Sequence, residues 1–323
     1  MEDGTRNVTG TTARPSILLI LPYFGRLPAS AELFFRSCAA NPDVRWLLVT
    51  DQADAGAALP SNVAVQRTTL PALKSRIEQV AGFEVTLPTP YKPCDFRPVY
   101  GLVFAEEIAG FDFWGHCDMD LMFGDIRRFL TSDVLHAYAK VLIHGHLSLY
   151  RNSEDANHFF QLEAPGVSYR EAFTSPESKA FDEFGGMNRL LKHHRIPAFR
   201  NDALLADIDP HTHRFTTLHP PNYAHQLFCW DRGRVFKEFW DGDRAERQEY
   251  LYVHFQRRRL PAPPPGLAEA DAFSLGSLGF FPRPAFPSPE EMDRMNAPRL
   301  LFDVQRRVES LVWHLKQTLA HRG

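Results

Sequence analysis

Two carboxylates separated by one residue, Asp118 and Asp120, close an apolar, aromatic run, Phe113-Trp-Gly-His-Cys117. Side chains of an extended segment alternate faces, so the two point the same way, roughly 6–7 Å apart. A slight bend lets both address one hard divalent cation, and an ion held by two carboxylates keeps positions open for the phosphates of a nucleotide. A solvated turn also explains an isolated pair of this spacing. Burying unpaired carboxylates behind such a strand is costly, however, so a cation or a set of donors must compensate. A calcium loop does not fit, because Met122 occupies its third ligand position and Gly124 is misplaced.

Other side chains fit the same chemistry. Lys92, Asp95 and Arg97 precede the strand and supply positive groups for phosphate and an acceptor for ribose or base. A capped helix with surface charges explains them equally. His254 sits late in an alternating segment, and its imidazole suits Mn²⁺ as well as Zn²⁺, with Arg257 and Arg258 beyond it to face a diphosphate. Asp182 and Glu183, before Gly185 and Gly186, are candidates to activate an acceptor hydroxyl, which needs a base within hydrogen-bond reach. An exposed acidic pair at a helix start is the plainer alternative. His144 and His146, with Arg151 and Asn152 after them, read as lining the acceptor side of a strand end. The pairs His193/His194 and His211/His213 lack a supporting cysteine or carboxylate and read as surface residues.

The elements that must hold these groups are those of an α/β protein. Residues 16–22 are a continuous apolar run of strand length, as expected for a parallel strand buried on both faces, and Val44-Arg-Trp-Leu-Leu-Val-Thr50 reads as a second buried strand. Helical periodicity follows at 29–40, capped by Ser30, and at 71–80, after a short strand at 63–66. Strand–helix alternation of this kind predicts a mixed, mostly parallel sheet flanked by helices, with ligands beyond the carboxyl ends of its strands. Pro22, Tyr23, Phe24 and Gly25, and Thr50 with Asp51, fall at those ends. A helix capped by Asp95 and running to about Ile108 leads into the Asp118/Asp120 strand, and further strands are expected at 140–146 and 249–255. Asp231 to Gly233 turns a hairpin.

With 323 residues, 44% of them hydrophobic, and a net charge of −3, the chain is long enough for one sizeable α/β domain and is not basic enough for nucleic acid to be its main partner. Four scattered cysteines argue against a disulfide framework and for a reducing compartment. The first fifteen residues lack a signal-peptide pattern, and no apolar run approaches the roughly 18 residues of a membrane helix. A cytoplasmic location is expected.

Taken in order, Pro22-Tyr-Phe-Gly25, Tyr91-Lys-Pro-Cys-Asp-Phe-Arg-Pro98, Phe113-Trp-Gly-His-Cys-Asp-Met-Asp120, Gly145-His-Leu-Ser-Leu-Tyr-Arg-Asn152 and Val253-His-Phe255 resemble glycosyltransferases of the GT-A fold with a D-x-D motif. The set is most similar to a bacterial glycosyltransferase family tied to surface-polysaccharide synthesis. One departure is Cys94, where the broader superfamily commonly has serine. The resemblance implies that Asp118 and Asp120, with His254, hold Mn²⁺ or Mg²⁺ against a UDP- or GDP-linked sugar. It implies that Asp95 and Arg97 contact nucleoside, sugar or phosphate, and that residues 22–25 with Thr50 and Asp51 form the base-binding end. The acceptor is a saccharide, lipid-linked or free, and both inverting and retaining transfer stay open.

The expected division is a disordered tail over 1–15, a GT-A-like domain over 16–258 with its nucleotide-sugar half at 16–125 and its acceptor half at 126–258, and an extension over 259–323. That extension combines a proline-rich linker at 260–266 with an amphipathic helix at 298–321, which packs on the domain or docks peripherally on the inner face of a membrane. The rival readings are a metal-dependent phosphohydrolase, which needs more ligands than are evident, and a non-catalytic saccharide- or nucleotide-binding protein.

Overall fold

The computed structural model describes residues 14–53, 59–256, 258, 260–283, 285–300, 302 and 304. The expected helix at 298–321 falls for the most part outside these residues, as do Arg257 and residues 1–13 of the expected tail. Among the described residues no helix is long and apolar enough to cross a membrane.

The apolar runs become a seven-stranded sheet. Its order is β3 (Val63–Arg67), β2 (Val44–Thr50), β1 (Ile17–Pro22), β4 (Phe113–Cys117), β7 (Leu147–Arg151), β6 (Lys140–His144) and β8 (Ala198–Phe199). Pairings β3–β2, β2–β1, β1–β4 and β6–β8 are parallel, and only those of β7 are antiparallel. The sheet is therefore the mixed, mostly parallel one expected. It is buried on both faces because alternate residues of β1 serve two cores: Ile17, Leu19 and Leu21 join Phe34, Trp46 and Phe123, whereas Leu18 and Ile20 join Leu73, Phe96 and Trp114. Helix α1 (Ala31–Ala39) covers the first face and α2 (Leu70–Ala81) the second. Thr69 caps α2 through Ala72 N, and Gly82 ends it in the left-handed region, whereas the hydroxyl of Ser30 makes no cap bond to α1.

The approach to β4 differs from the predicted helix. Lys92–Val99 is a 3₁₀ helix and Tyr100–Val103 a single α turn. Pro93 and Pro98 lack the N–H that a continuous α-helix requires, which favours the tighter, shorter form. Asp95 lies inside this segment and does not cap it.

A second sheet, entirely antiparallel, has the order β12 (Arg244–Tyr250), β11 (Arg234–Asp241), β10 (Gln226–Asp231), β14 (Ala272–Gly276) and β15 (Gly279–Pro282). The β10–β11 turn is the predicted one, with Arg232 and Gly233 both at positive φ, as a two-residue hairpin demands. The stretch expected to lie beyond a boundary at 258 contributes two strands, β14 and β15, to this sheet. After the proline-rich stretch the chain re-enters the sheet, and Ala272–Asp231 through Leu275–Phe228 are paired residues.

A third, small sheet joins the two: β5 (Leu121–Phe123), β13 (Tyr252–His254) and β9 (Leu205–Asp207). Its central strand pairs antiparallel with β5, placing His254 opposite Leu121, and parallel with β9, placing His254 beside Asp207.

Candidate metal and nucleotide-sugar cleft

These registers open a cleft of roughly 390 Å³ at the carboxyl end of β4. Asp118 continues the β4–β7 pairing, its N–H donating to His146 O at 3.0 Å, and so lies against the His144–Leu147 turn. The carbonyl of Asp120 accepts from Phe255 N at 3.0 Å, which fixes Asp120 beside His254. Carboxylate oxygens of Asp118 and Asp120 and a ring nitrogen of His254 all lie within 4.8 Å of one another.

His254 is held from behind. Its Nδ1 is 2.8 Å from Asp207 Oδ1, an oxygen that also accepts from Gln256 Nε2, and its Nε2 is 3.5 Å from Asp120 Oδ1. Burial alone pulls this imidazole toward neutrality, but its bonds to Asp120 and Asp207 prevail and push it up to about 10. A carboxylate on one ring nitrogen and an open cleft on the other is the usual support of a metal-ligating histidine. Two carboxylates and an imidazole suit Mn²⁺, and the set also accommodates Mg²⁺ through its oxygens, so the residues fit a divalent ion.

Arg97 ties the cleft together. One terminal nitrogen donates to Asp118; the other donates to Gly145 O at 2.7 Å and to Asp182 Oδ2 at 2.9 Å. Asp182 is buried, and burial raises its carboxyl to about 7, Arg97 offsetting only part of the effect and Glu183 adding to it. Glu183 accepts from Gly145 N. His144, His146, Cys94, Ser178 and Tyr91 complete the wall. At the neighbouring strand ends, Gly25 N donates to Asp51 Oδ1 at 2.9 Å, which lowers that carboxyl, and the Tyr23 phenol is raised by burial and then by Asp120. Phe24 and Thr50 are buried beneath them, and Pro22 closes β1.

Several expected site residues lie elsewhere. Lys92 and Asp95 are fully buried and paired at 2.6 Å; Lys92 Nζ also donates to Ala172 O and Glu177 O, and Asp95 accepts from Lys179 N and Phe181 N. Their groups anchor the segment that carries Asp182, and neither reaches the cleft. Arg151 and Asn152 are at the wrong end of β7. Because β7 runs antiparallel to β4, Arg151 pairs with Phe113, the first residue of β4, and its guanidinium donates to Leu135 O, His136 O and Tyr138 O. Asn152 holds Ile108 O and Phe111 O. Gly185 and Gly186 are packing glycines, since an added Cβ would lie 1.8 Å from Lys179 O and 2.3 Å from the Phe181 ring. Arg258 donates to the carbonyls of Asp209 and Thr212.

Asp207 and Gln256 escape the reading of the sequence. Asp207 sits 47 residues before the histidine it orients, in a three-residue strand with no motif around it. The only hint is an acidic residue ending an apolar step, as at Asp118.

The chain belongs to a family of unknown function, DUF6625, whose family model matches residues 19–275. No curated protein sequence matches it. Among solved structures it is similar to mouse xyloside xylosyltransferase 1 in its apo form, with 11% sequence identity and a TM-score of 0.41, over 60% of this chain and 88% of that one.

Proposed function

We propose that this protein is a metal-dependent glycosyltransferase that moves a sugar from a nucleoside-diphosphate donor, UDP- or GDP-linked, to a saccharide acceptor. The observation that carries the reading is the convergence of Asp118, Asp120 and His254 within 4.8 Å, at the carboxyl end of a mostly parallel sheet and beside the Arg97 guanidinium. Ligands of α/β sheets bind at that end of the strands. The ordered motifs that resemble GT-A glycosyltransferases support it, since Asp118-Met-Asp120 and Arg97 fall in one cleft. The same resemblance gives the biological setting we infer, bacterial surface-polysaccharide synthesis with a lipid-linked or free acceptor.

In this reading Asp118, Asp120 and His254 hold Mn²⁺ or Mg²⁺, which when bound stabilises negative charge on the departing diphosphate. Asp207 keeps the imidazole of His254 turned toward the cleft. Arg97 adds fixed positive charge and positions Asp118 and Asp182 against each other. Asp182 and Glu183 serve the acceptor side, where a carboxyl with a pKa of about 7 is matched to taking up a hydroxyl proton near neutral pH. The Tyr23–Gly25 turn and Asp51 form the nucleoside end.

The test is a thermal-shift panel of nucleotide sugars with and without Mn²⁺, followed by transfer assays on the donor it selects. A donor that stabilises only with the cation, and loss of transfer by more than a hundredfold in Asp120→Ala, are expected. Full turnover in that variant would refute the reading.

A further inference from the structure

Among the described residues six large apolar side chains are well exposed, and two of them are aromatic: Tyr91 at 69% and Phe184 at 71%. Both stand at the same wall of the cleft. Tyr91 lines it, and Phe184 follows Glu183, which also lines it. The two segments that carry them are tied together, since Asp95 accepts from Lys179 N and Phe181 N and Cys94 Sγ lies 3.4 Å from Ser178 Oγ. The exposure of Phe184 is imposed by the backbone. Ala180 O accepts from Glu183 N at 3.1 Å and from Gly185 N at 3.0 Å, and Glu183 O accepts from Asn188 N at 3.0 Å. Gly185 and Gly186 leave no room for a Cβ. This closed turn buries Phe181 and Asp182 while it holds Phe184 in water. A ligand that covers the ring recovers the gain of burial that the fold forgoes.

The chemistry of the surroundings selects the occupant. A pyranose presents a face of C–H groups, which packs on the electron-rich face of an aromatic ring, and a rim of hydroxyls, which needs polar partners close by. The Ser178 hydroxyl and the Glu183 carboxylate supply such partners on the same wall. Charge narrows the class further. That wall carries Asp182 and Glu183, and among the described lining residues Arg97 is the one arginine or lysine, already engaged by Asp118 and Asp182. A uronate or phosphate group on the ligand would meet carboxylates there without a counter-ion. We propose that Tyr91 and Phe184 form a stacking platform for an uncharged acceptor saccharide of at least two sugar units. The unit that receives the new linkage lies at Asp182 and Glu183, and the next unit lies on the aromatic pair. The acceptor role rests on the glycosyltransferase reading given above; the saccharide platform itself does not.

The test applies the full-length chain with Mn²⁺ to an array of neutral and uronate-containing mono- to tetrasaccharides, then titrates the best-retained neutral glycan in solution. Neutral glycans of two or more units are expected to be retained, and their uronate-containing counterparts at least about tenfold more weakly. Phe184→Ala and Tyr91→Ala are each expected to lower affinity about three- to tenfold without changing the melting temperature. Phe184→Tyr should restore binding, whereas Phe184→Leu, apolar but without a π face, should not. The emission of Phe184→Trp should shift to the blue when the glycan is added. Unchanged affinity in both alanine variants, uronate glycans held as tightly as neutral ones, or no neutral glycan retained by the wild-type chain would overturn the proposal. If saccharide binding depends on the two rings but no nucleotide sugar is used, the glycosyltransferase reading fails and the platform stands. Transfer whose acceptor KM is moved by neither alanine substitution sinks the platform alone.

Discussion

The buried Asp182 carboxyl is the group at which stability is expected to depend on pH near neutrality. Its side chain is 4% exposed, and burial lifts the carboxyl from 3.8 to about 7 against the pull of Arg97 at 2.9 Å. A raised carboxyl pKa means that the folded state binds the proton more tightly than the unfolded chain does. The resulting stabilisation is complete below about pH 4 and is lost as pH rises through about 7. The shift corresponds to on the order of 4 kcal/mol. Asp182→Asn keeps the shape and removes the titration, so wild-type stability should fall relative to the variant between pH 4 and 8 in urea melts. Parallel pH profiles would show that Asp182 does not titrate in this range. Under the proposed function the same ionisation acts on rate: kcat/KM should climb to a plateau above about pH 7, and Asp182→Asn should remove that limb. Lys92 belongs to the opposite category. Fully buried against Asp95, it cannot be removed without leaving that carboxylate without a counter-charge, so Lys92→Met should cost about 3–5 kcal/mol in denaturant melts. A phosphate contact on an exposed lysine would give almost no such loss.

At the level of elements, what the sequence made legible follows from where each strand is buried. β1 is apolar on both faces and is written as a continuous run, β2 is broken only by the exposed Arg45, and Asp118 and Asp120 stand out where the apolar run of β4 ends. The candidate cation set needs more than runs. It depends on β13 lying between β5 and β9, with His254 opposite Leu121 and beside Asp207, and pairings of three-residue strands leave no periodic trace. The misplacement of Arg151 and Asn152 has the same origin. Residues 140–146 read as a strand with Arg151 and Asn152 at its polar end, whereas the Gly145-His146 turn reverses the chain and carries those two residues away from the cleft. Gly145 is where this turn meets the acidic pair. A Cβ there would lie 2.7 Å from Glu183 Oε1 and 2.8 Å from Asp182 Oδ2. Gly145→Ala must therefore push the carboxylates or the turn aside, at a cost of about 1–3 kcal/mol. It should lower the melting temperature by several degrees and, under the proposed function, weaken Mn²⁺ binding through Asp118, whose N–H the turn holds. A variant with wild-type melting and cation affinity would mean that the turn has slack the packing does not suggest.

Across the whole molecule, the question is whether the antiparallel sheet is an appendage or part of the folding unit. Proline-rich residues 260–266 suggest an appendage beginning at 259, but the packing argues for one unit. Trp230 of β10 donates its indole N–H to Phe123 O of β5 at 3.1 Å, joining the second sheet to the strand that follows Asp120. The same ring stacks on Phe273 of β14, and Phe255, next after His254, meets Phe280 of β15 edge to face. Phe273, Leu275 and Phe280 are all buried in the core that contains Met122, Ala206 and Val253, residues of the small sheet that carries Asp207 and His254. At about 1.5–3 kcal/mol for each buried side chain, removing these three forfeits roughly 5–9 kcal/mol, comparable with the whole stability of an ordinary domain, about 5–15 kcal/mol. It also bares the β10 edge to pairing with other chains. A chain ending at Arg258 retains every residue proposed to bind cation or donor, so on the appendage view it should fold and bind Mn²⁺ as the full chain does. We expect instead no cooperative melt, lost near-ultraviolet dichroism and no Mn²⁺ binding, with Phe273→Ala in the full chain costing about 3–5 kcal/mol as the milder form of the same defect. A truncated chain with a sharp melt and intact cation affinity would restore the boundary at 258 and make the second sheet dispensable to the site.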